Sequence, residues 1–294
     1  MLINGDCLEE MDKLIEQWVK VDAIITDPPY WKTACKWDSI IPFEEMRPRL
    51  NKLIKPNGAI VLFWSEPFSS ALRMSNIKNY KYDWIREKNK SKCNNFVHAN
   101  NNPLRQTENI SIFSLGNIAH KGKNKYRMEY NPQGLIEINK KVKGDKKGGK
   151  NNEHIISRPS HKKEYIQKYT NYPTNVIRYS ELLNTCLTCK CKIKIGNSYC
   201  SKGCAKLYKE RNGSEESIDR KLHPTQKPVA LMEYLIKTYT NEWETVLDFT
   251  MWSWSTGVAA QNTGREFIWI EMDKDYFEIV KVRMEKTIGF TNVI

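Results

Sequence analysis

The sequence predicts an α/β fold, a doubly wound and mostly parallel sheet carrying an inserted region. Three observations lead there. Short apolar runs at 21–26, 59–63, 245–248 and 267–271 read as strands buried on both faces. Stretches of helical spacing alternate with them. The runs at Thr245–Asp248 and Phe267–Glu271 each close on an acid. Open α/β sheets bind their ligands at such strand ends.

Residues 1–26 read as strand, helix and strand. The chain must leave the sheet at Asp27-Pro28-Pro29-Tyr30, because two consecutive prolines cannot continue a central strand. Phe43, Met46, Leu50, Leu53 and Ile54 have helical spacing, and Pro56-Asn57-Gly58 reads as a turn before the strand 59–63. Strand-like segments follow at Tyr82–Ile85 and Ile110–Phe113. Val229, Leu231, Met232, Leu235 and Ile236 mark a helix over 228–239. A helix is expected over 256–263, and an amphipathic one over 276–286 closes the pattern.

The chain has 294 residues, enough for one full core plus a smaller unit. With 40% hydrophobic and 28% charged residues it is not a disordered chain. It lacks an apolar run long enough to span a bilayer, and its first residues do not form a signal peptide, so a cytoplasmic protein with no membrane partner is expected. Lys plus Arg number 47 against 34 Asp plus Glu, a formal charge of +13. That surplus points to a polyanion, nucleic acid first and an anionic membrane surface second. AT-rich coding, which favours Lys, Asn and Ile, is the plain alternative.

Residues 116–175 change character. Ten of residues 121–150 are Lys or Arg against three acids, and 140–150 is rich in Lys and Gly. Such a run is a solvated linker or a phosphate-contacting surface. Five of the eight cysteines then fall within 186–204. Cys186 and Cys189, then Cys200 and Cys204, have the paired spacing of a four-thiolate structural zinc site, with Cys191 as an alternative to Cys189. Reduced cytoplasmic thiols are the alternative. Lysines and Arg211 flank the cluster, which suits a DNA-contacting finger.

Asp27-Pro28-Pro29-Tyr30 has a specific chemical use. The exocyclic amine of a nucleobase is a poor nucleophile, because its lone pair is delocalised into the ring. A carboxylate (Asp27) and a backbone carbonyl (Pro28) can accept both N–H groups and return that pair to nitrogen. Proline pre-sets the direction of the carbonyl. The base must leave its stack, and the face of Tyr30 can hold it. A rigid strand-to-loop turn is the structural alternative. Asp248, at the end of a strand and followed by a small-residue turn, reads as a nucleotide-binding turn. Glu271, at the end of the next strand, is placed to accept ribose hydroxyls.

These residues, in this order, resemble the β class of amino-group DNA methyltransferases that use S-adenosylmethionine (SAM). The resemblance covers 1–115 and 220–286. It includes Asn4-Gly5-Asp6-Cys7, Thr33–Asp38, Ser65–Ser69 and His223-Pro224-Thr225-Gln226-Lys227-Pro228. It implies a Rossmann-like methyltransferase sheet. Residues 1–115 would form the catalytic half and 221–294 the cofactor half, with target recognition in an insert over 116–220. It implies SAM contacts at Asp6, Cys7, Thr225, Lys227, Asp248, Phe249, Ser253, Ser255, Thr256 and Glu271. Catalytic roles would fall to Asp27, Pro28, Pro29 and Tyr30. Double-stranded DNA is the implied substrate, and Asp at position 27 favours adenine N6 over cytosine N4. A restriction endonuclease is an implied companion. RNA or protein methylation, and DNA binding without catalysis, are the other readings.

The sequence departs from this family in one way. The family's cofactor turn reads Asp-x-x-x-Gly-x-Gly-x-Thr, whereas here Trp252 and Trp254 stand at the glycine positions between Asp248 and Thr256. Trp18, Trp31, Trp64, Trp243 and Trp269 likewise stand where glycine is expected, and only Trp37 and Trp84 match tryptophans of the family. The 14 glycines are about 5% of the chain, and restoring seven brings them to the usual value of roughly 7%. UGA codons decoded as glycine in the source and written here as tryptophan would account for this, and a decayed pseudo-enzyme is the plain alternative. A chain made with Trp252 and Trp254 should bind SAM poorly or not at all.

Overall fold

The computed structural model describes residues 1–29, 40–88, 99–119, 125–143, 164–178, 227–251, 255–278 and 280–281. The first half contains β1 (Leu2–Asn4), α1 (Cys7–Glu16), β2 (Val21–Thr26), α2 (Phe43–Leu53), β3 (Ile54–Trp64), α3 (Phe68–Ser75), β4 (Tyr80–Glu87) and β5 (Thr107–Phe113). Then come β6 (Ile136–Lys143), β7 (Glu164–Thr170) and β8 (Val176–Arg178). The last part holds α4 (Val229–Tyr239), β9 (Thr245–Asp248), α5 (Ser255–Asn262) and β10 (Glu266–Glu271), and the chain is helical again at 274–278. No helix among the described residues is long and apolar enough to cross a membrane.

Eight strands form one mixed, mostly parallel sheet in the order β1-β10-β9-β2-β3-β5-β4-β8. β5 runs antiparallel to β3 and to β4, and every other adjacent pair is parallel. Side-chain alternation along the central strands feeds two cores. Ala23, Ile25, Val61, Phe63, Val246 and Trp269 pack on one face with Leu231 and Leu235 of α4 and Ala259 of α5. Ile24, Ile60, Leu62, Leu247, Ile268 and Ile270 pack on the other with Met11 and Leu14 of α1 and Met46 and Leu50 of α2. Helices on both faces make the sheet doubly wound.

The turn expected at Pro56–Gly58 is absorbed into β3. The β2–β3 register passes from Val21↔Ile54 to Ala23↔Ala59, so these residues form an irregularity within the strand. Asp22, buried in β2, explains how the sheet tolerates it. Its carboxylate accepts from Lys55 Nζ at 2.7 Å and from the Thr245 amide at 3.0 Å, tying β3 and the start of β9 to β2.

Two of the glycine-position tryptophans adopt backbones that favour glycine. α1 ends in a Schellman motif, in which the Trp18 amide donates to Ile15 O and the Val19 amide to Leu14 O, both at 3.0 Å. Trp18 is the left-handed residue of that motif, with φ 58°. Trp243 is the third residue of a turn closed by Glu244 N donating to Asn241 O, with φ 68°, where a type II turn places glycine. Trp64 and Trp269 are instead buried in β3 and β10.

A second compact unit spans Pro132–Thr174. In it β6 pairs antiparallel with β7, with an irregularity between Glu137 and Lys140. Lys140–Lys143, part of the run read as a solvated linker or a phosphate-contacting surface, therefore lie in a strand. Ile136, Ile138, Tyr165, Ile166 and Tyr169 are exposed on this ribbon. Met128 and Ile177, just before and just after this unit in the sequence, belong to a core of the main sheet.

Candidate active site

The parallel register brings the carboxyl ends of four strands together. Asn4 of β1 lies beside Glu271 of β10, Trp269 beside Asp248 of β9, and Leu247 beside Ile24 of β2. The chain proceeds from β2 to β3 on one side and from β9 to β10 on the other, so the sheet switches direction between β2 and β9. That is the place where such sheets bind ligands.

Each strand end is fixed by hydrogen bonds. Thr26 donates its hydroxyl to Asp248 Oδ1 at 2.7 Å, and the Thr250 amide donates to the same oxygen at 3.2 Å. Burial pushes the Asp248 carboxyl above its ordinary value, while hydrogen bonds from the Thr256 and Thr26 hydroxyls and the Thr250 amide oppose this. Glu271 Oε1 accepts the Asp273 amide at 2.9 Å, and its carbonyl accepts the Gly5 amide at 3.0 Å. Asp6 caps α1 by accepting the Leu8 amide at 2.8 Å. Burial pushes the Cys7 thiol up to about 12, so it is an inert wall residue.

Between these ends lies a pocket open to solvent. Asp6, Cys7, Phe249 and Glu271, four of the residues expected on SAM, line it together with Pro29. Ile270 and Tyr276 also line it. They are part of strand and helix patterns whose periodicity announced only packing.

Asp27 follows β2 directly. Lys227 Nζ lies 2.5 Å from its Oδ2 and 3.3 Å from Glu108 Oε1. Arg86 Nη1 holds Glu108 Oε2 at 2.7 Å, and Lys227 Nζ sits 5.2 Å from the centre of the Phe63 ring. Burial raises the Asp27 carboxyl to about 6 against the pull of Lys227, with Glu108 and Asp248 adding to the rise. Burial would also raise Glu108, but Lys227, Arg86 and Lys88 outweigh it and hold that carboxyl low.

The structure thus gathers Asp27, Pro28 and Pro29 with Asp248 and Glu271 at one end of the sheet. Ser255 and Thr256 are buried at the start of α5, where Thr256 supports Asp248. Lys227, expected on the cofactor, contacts the Asp27 carboxylate. Glu108 was not anticipated. Tyr30, Thr225, Ser253 and the four cysteines Cys186, Cys189, Cys200 and Cys204 lie outside the described residues. Among the described residues no cluster of His, Cys, Asp or Glu could hold a metal ion.

Known proteins agree with this arrangement. A family model described as DNA methylase, for the N6 and N4 enzymes, matches residues 21–282. The Type II methyltransferase M2.DpnII of Streptococcus pneumoniae is 44% identical over 63 residues, 21% of this chain and 24% of that protein. The DNA adenine methyltransferase YhdJ of Escherichia coli K12 is 40% identical over 63 residues, 21% of each chain. The chain thus aligns with about a quarter of the length of the curated relatives it matches. The crystal structure of an M1.HpyAVI–SAM complex has a TM-score of 0.53 at 24% identity, covering 96% of this chain and 98% of that one. The cytosine-N4-specific PvuII DNA methyltransferase has a TM-score of 0.52 at 17% identity, covering 100% and 87%. With most of its length matched by the family model, the chain belongs to the DNA methylase family of N6 and N4 methyltransferases.

Proposed function

We propose that this protein is a site-specific DNA methyltransferase that transfers a methyl group from SAM to adenine N6. The observation that carries this reading is the position of Asp27-Pro28-Pro29 at the end of β2, with Pro29 bordering the pocket that Glu271 and Asp6 line. The donor set suits SAM, with carboxylates for hydroxyl and ammonium groups and Phe249 and Ile270 as apolar walls. Asp6, Cys7, Phe249 and Glu271 would hold it, with Asp248 bracing the turn. SAM when bound supplies an electrophilic methyl group. Asp27 and the Pro28 carbonyl accept the two N–H groups of a flipped-out base, which localises the nitrogen lone pair. Tyr30 stacks the base. The surplus proton leaves the nitrogen after transfer, so Asp27 need not be a strong base.

The adenine relative from Escherichia coli supports N6 as the target, and the fold shared with the cytosine-N4 enzyme supports N4 as the second reading. Methylation of duplex DNA with labelled SAM by the chain carrying Trp252→Gly and Trp254→Gly, followed by nucleoside analysis, decides between them. N6-methyladenine is expected; N4-methylcytosine, or no methylated base, would overturn the assignment. Target recognition is assigned to residues 116–220, and a structural zinc to Cys186, Cys189, Cys200 and Cys204. One zinc per chain by elemental analysis, lost when Cys186 and Cys200 are replaced by Ser, is the expected result. The names of the Type II relatives support a restriction endonuclease as companion. The lack of a spanning helix among the described residues is consistent with a cytoplasmic enzyme.

A further inference from the structure

We propose that Lys227 is a positioning residue for methyl transfer: anchored by Glu108, it clamps Oδ2 of Asp27 and leaves Oδ1 for the amino group of the target base. The proposal rests on the methyltransferase reading above. Lys227 Nζ is 2.5 Å from Asp27 Oδ2 and 3.3 Å from Glu108 Oε1, and the three side chains are 7%, 15% and 5% exposed. Glu108 is itself braced by Arg86 at 2.7 Å, with Lys88 Nζ at 4.0 Å. The ammonium therefore bridges β2 to β5 across Phe63 of β3.

Two features argue for function over stability. Buried ion pairs cost several kcal/mol of desolvation per ion and are often replaceable by apolar groups without loss. A triad of this kind is a poor device for holding a sheet together. Asp27 Oδ1 is also buried and accepts no hydrogen bond among the described residues. A carboxylate oxygen left that way is expensive unless a donor arrives with a ligand. An exocyclic N–H is such a donor. With Oδ2 held by Lys227, the carboxylate cannot rotate, and the acceptor for that N–H is fixed before the base enters.

The clamp also governs the charge of Asp27. The groups facing it are Lys227 ahead of α4, Glu108 on β5 and Asp248 on β9, with Arg86 on β4 and Lys88 behind Glu108. Lys227 favours the ionised acceptor form, while Glu108 and Asp248 oppose it. A protonated Asp27 would offer an O–H where the amino group needs an acceptor.

The test compares the full chain carrying Trp252→Gly and Trp254→Gly with its Lys227→Met, Lys227→Arg and Glu108→Gln variants. Asp27 ionisation is followed by ¹³C-carboxyl NMR, assigned with Asp27→Asn, and methyl transfer by the pH dependence of kcat. Lys227→Met should raise the Asp27 titration and the acid limb of kcat by roughly one to three pH units. Lys227→Arg should keep both near their original positions. Glu108→Gln should lower the titration, since a negative neighbour is gone, yet reduce kcat because the ammonium loses its anchor. If Lys227→Met fails to fold, the other two variants carry the test. An unmoved titration in Lys227→Met or Glu108→Gln, or a Lys227→Met defect confined to KM for SAM, would overturn the clamp. The NMR titration needs no turnover. A shifted titration in a chain that methylates nothing would therefore sink the methyltransferase reading and leave the clamp standing.

Discussion

The indole of Trp269 occupies the space that a β-carbon on Gly257 would need. A Cβ built there would lie 1.4 Å from Trp269 Cζ2 and 1.7 Å from its Cη2, overlapping the edge of the ring. Gly257 is on α5 and Trp269 on β10, so this pair sets how closely the helix approaches the sheet behind the cofactor turn. Trp269 is fully buried and stacks on Phe267 at 4.0 Å. Gly257→Ala should therefore destabilise the protein by about 1–3 kcal/mol through overpacking. Trp269→Gly in the same chain should remove that penalty, a coupling readable in a double-mutant cycle of urea unfolding. Additive effects would show that the helix moves freely away from the strand.

Trp18 and Trp243 make a second case of tryptophan where glycine belongs. A left-handed backbone costs a residue with a β-carbon about 1–2 kcal/mol, against roughly 0.5–1 kcal/mol of extra chain entropy for glycine. Both indoles are largely exposed, 85% and 78%, so their removal loses little burial. Trp18→Gly and Trp243→Gly should each stabilise the protein by about 0.5–1 kcal/mol. Trp18→Ala and Trp243→Ala should not, because alanine keeps the backbone penalty. Reading the gene gives an independent check. Trp18, Trp31, Trp64, Trp243, Trp252, Trp254 and Trp269 should be encoded by UGA, and Trp37 and Trp84 by UGG. Nine UGG codons would end the recoding idea.

What the sequence made legible, and what it did not, follows from how each signal arises. β2 and β9 are continuous apolar runs buried on both faces, so composition alone marks them. β8 has three residues, too few for any period to show. In β6, the alternation of Ile136 and Ile138 runs into lysines that also suit a linker, and β7 sets Tyr165 beside Ile166 with no alternation to read. Glu108 could have been found. It shares a strand face with Ile110 and Ile112, both buried, and an acid on an apolar face announces a partner or a role. The contact of Lys227 with Asp27 could not, because 200 residues separate them and only the closed sheet brings them together.

The cofactor pocket yields a third prediction. Glu271 is the acid of the pocket best placed at a strand end, with one carboxylate oxygen oriented by the Asp273 amide. Charge-assisted hydrogen bonds to a ligand are worth about 1.5–3 kcal/mol. Glu271→Gln should weaken SAM binding by roughly 10- to 100-fold. The chain with glycine at 252 and 254 should bind SAM more tightly than the chain with tryptophan there. Isothermal titration of the tryptophan chain, the glycine chain and Glu271→Gln in the glycine chain measures both effects. Equal affinities in the glycine and tryptophan chains would place the pocket's ligand away from that turn.

Asp27 provides the last prediction, and its sign follows from burial. The carboxyl titrates at about 6 in the folded protein, above its ordinary 3.8. Above that pH it is an acceptor for the amino group, and below it the proton blocks one oxygen. Methyl transfer should thus be fully present above pH 7 and fall tenfold per unit as pH drops well below 6, while SAM affinity follows a different curve because Asp27 does not line the pocket. Asp27→Asn should lower kcat by about 10²–10³-fold, the scale of losing one preorganised electrostatic group, with SAM binding retained. The acid limb should vanish in that variant, leaving a low rate that is flat from pH 5 to 7. An acid limb that persists in Asp27→Asn would assign the titration to another group, with Asp248, buried and raised in the same site, the first to examine.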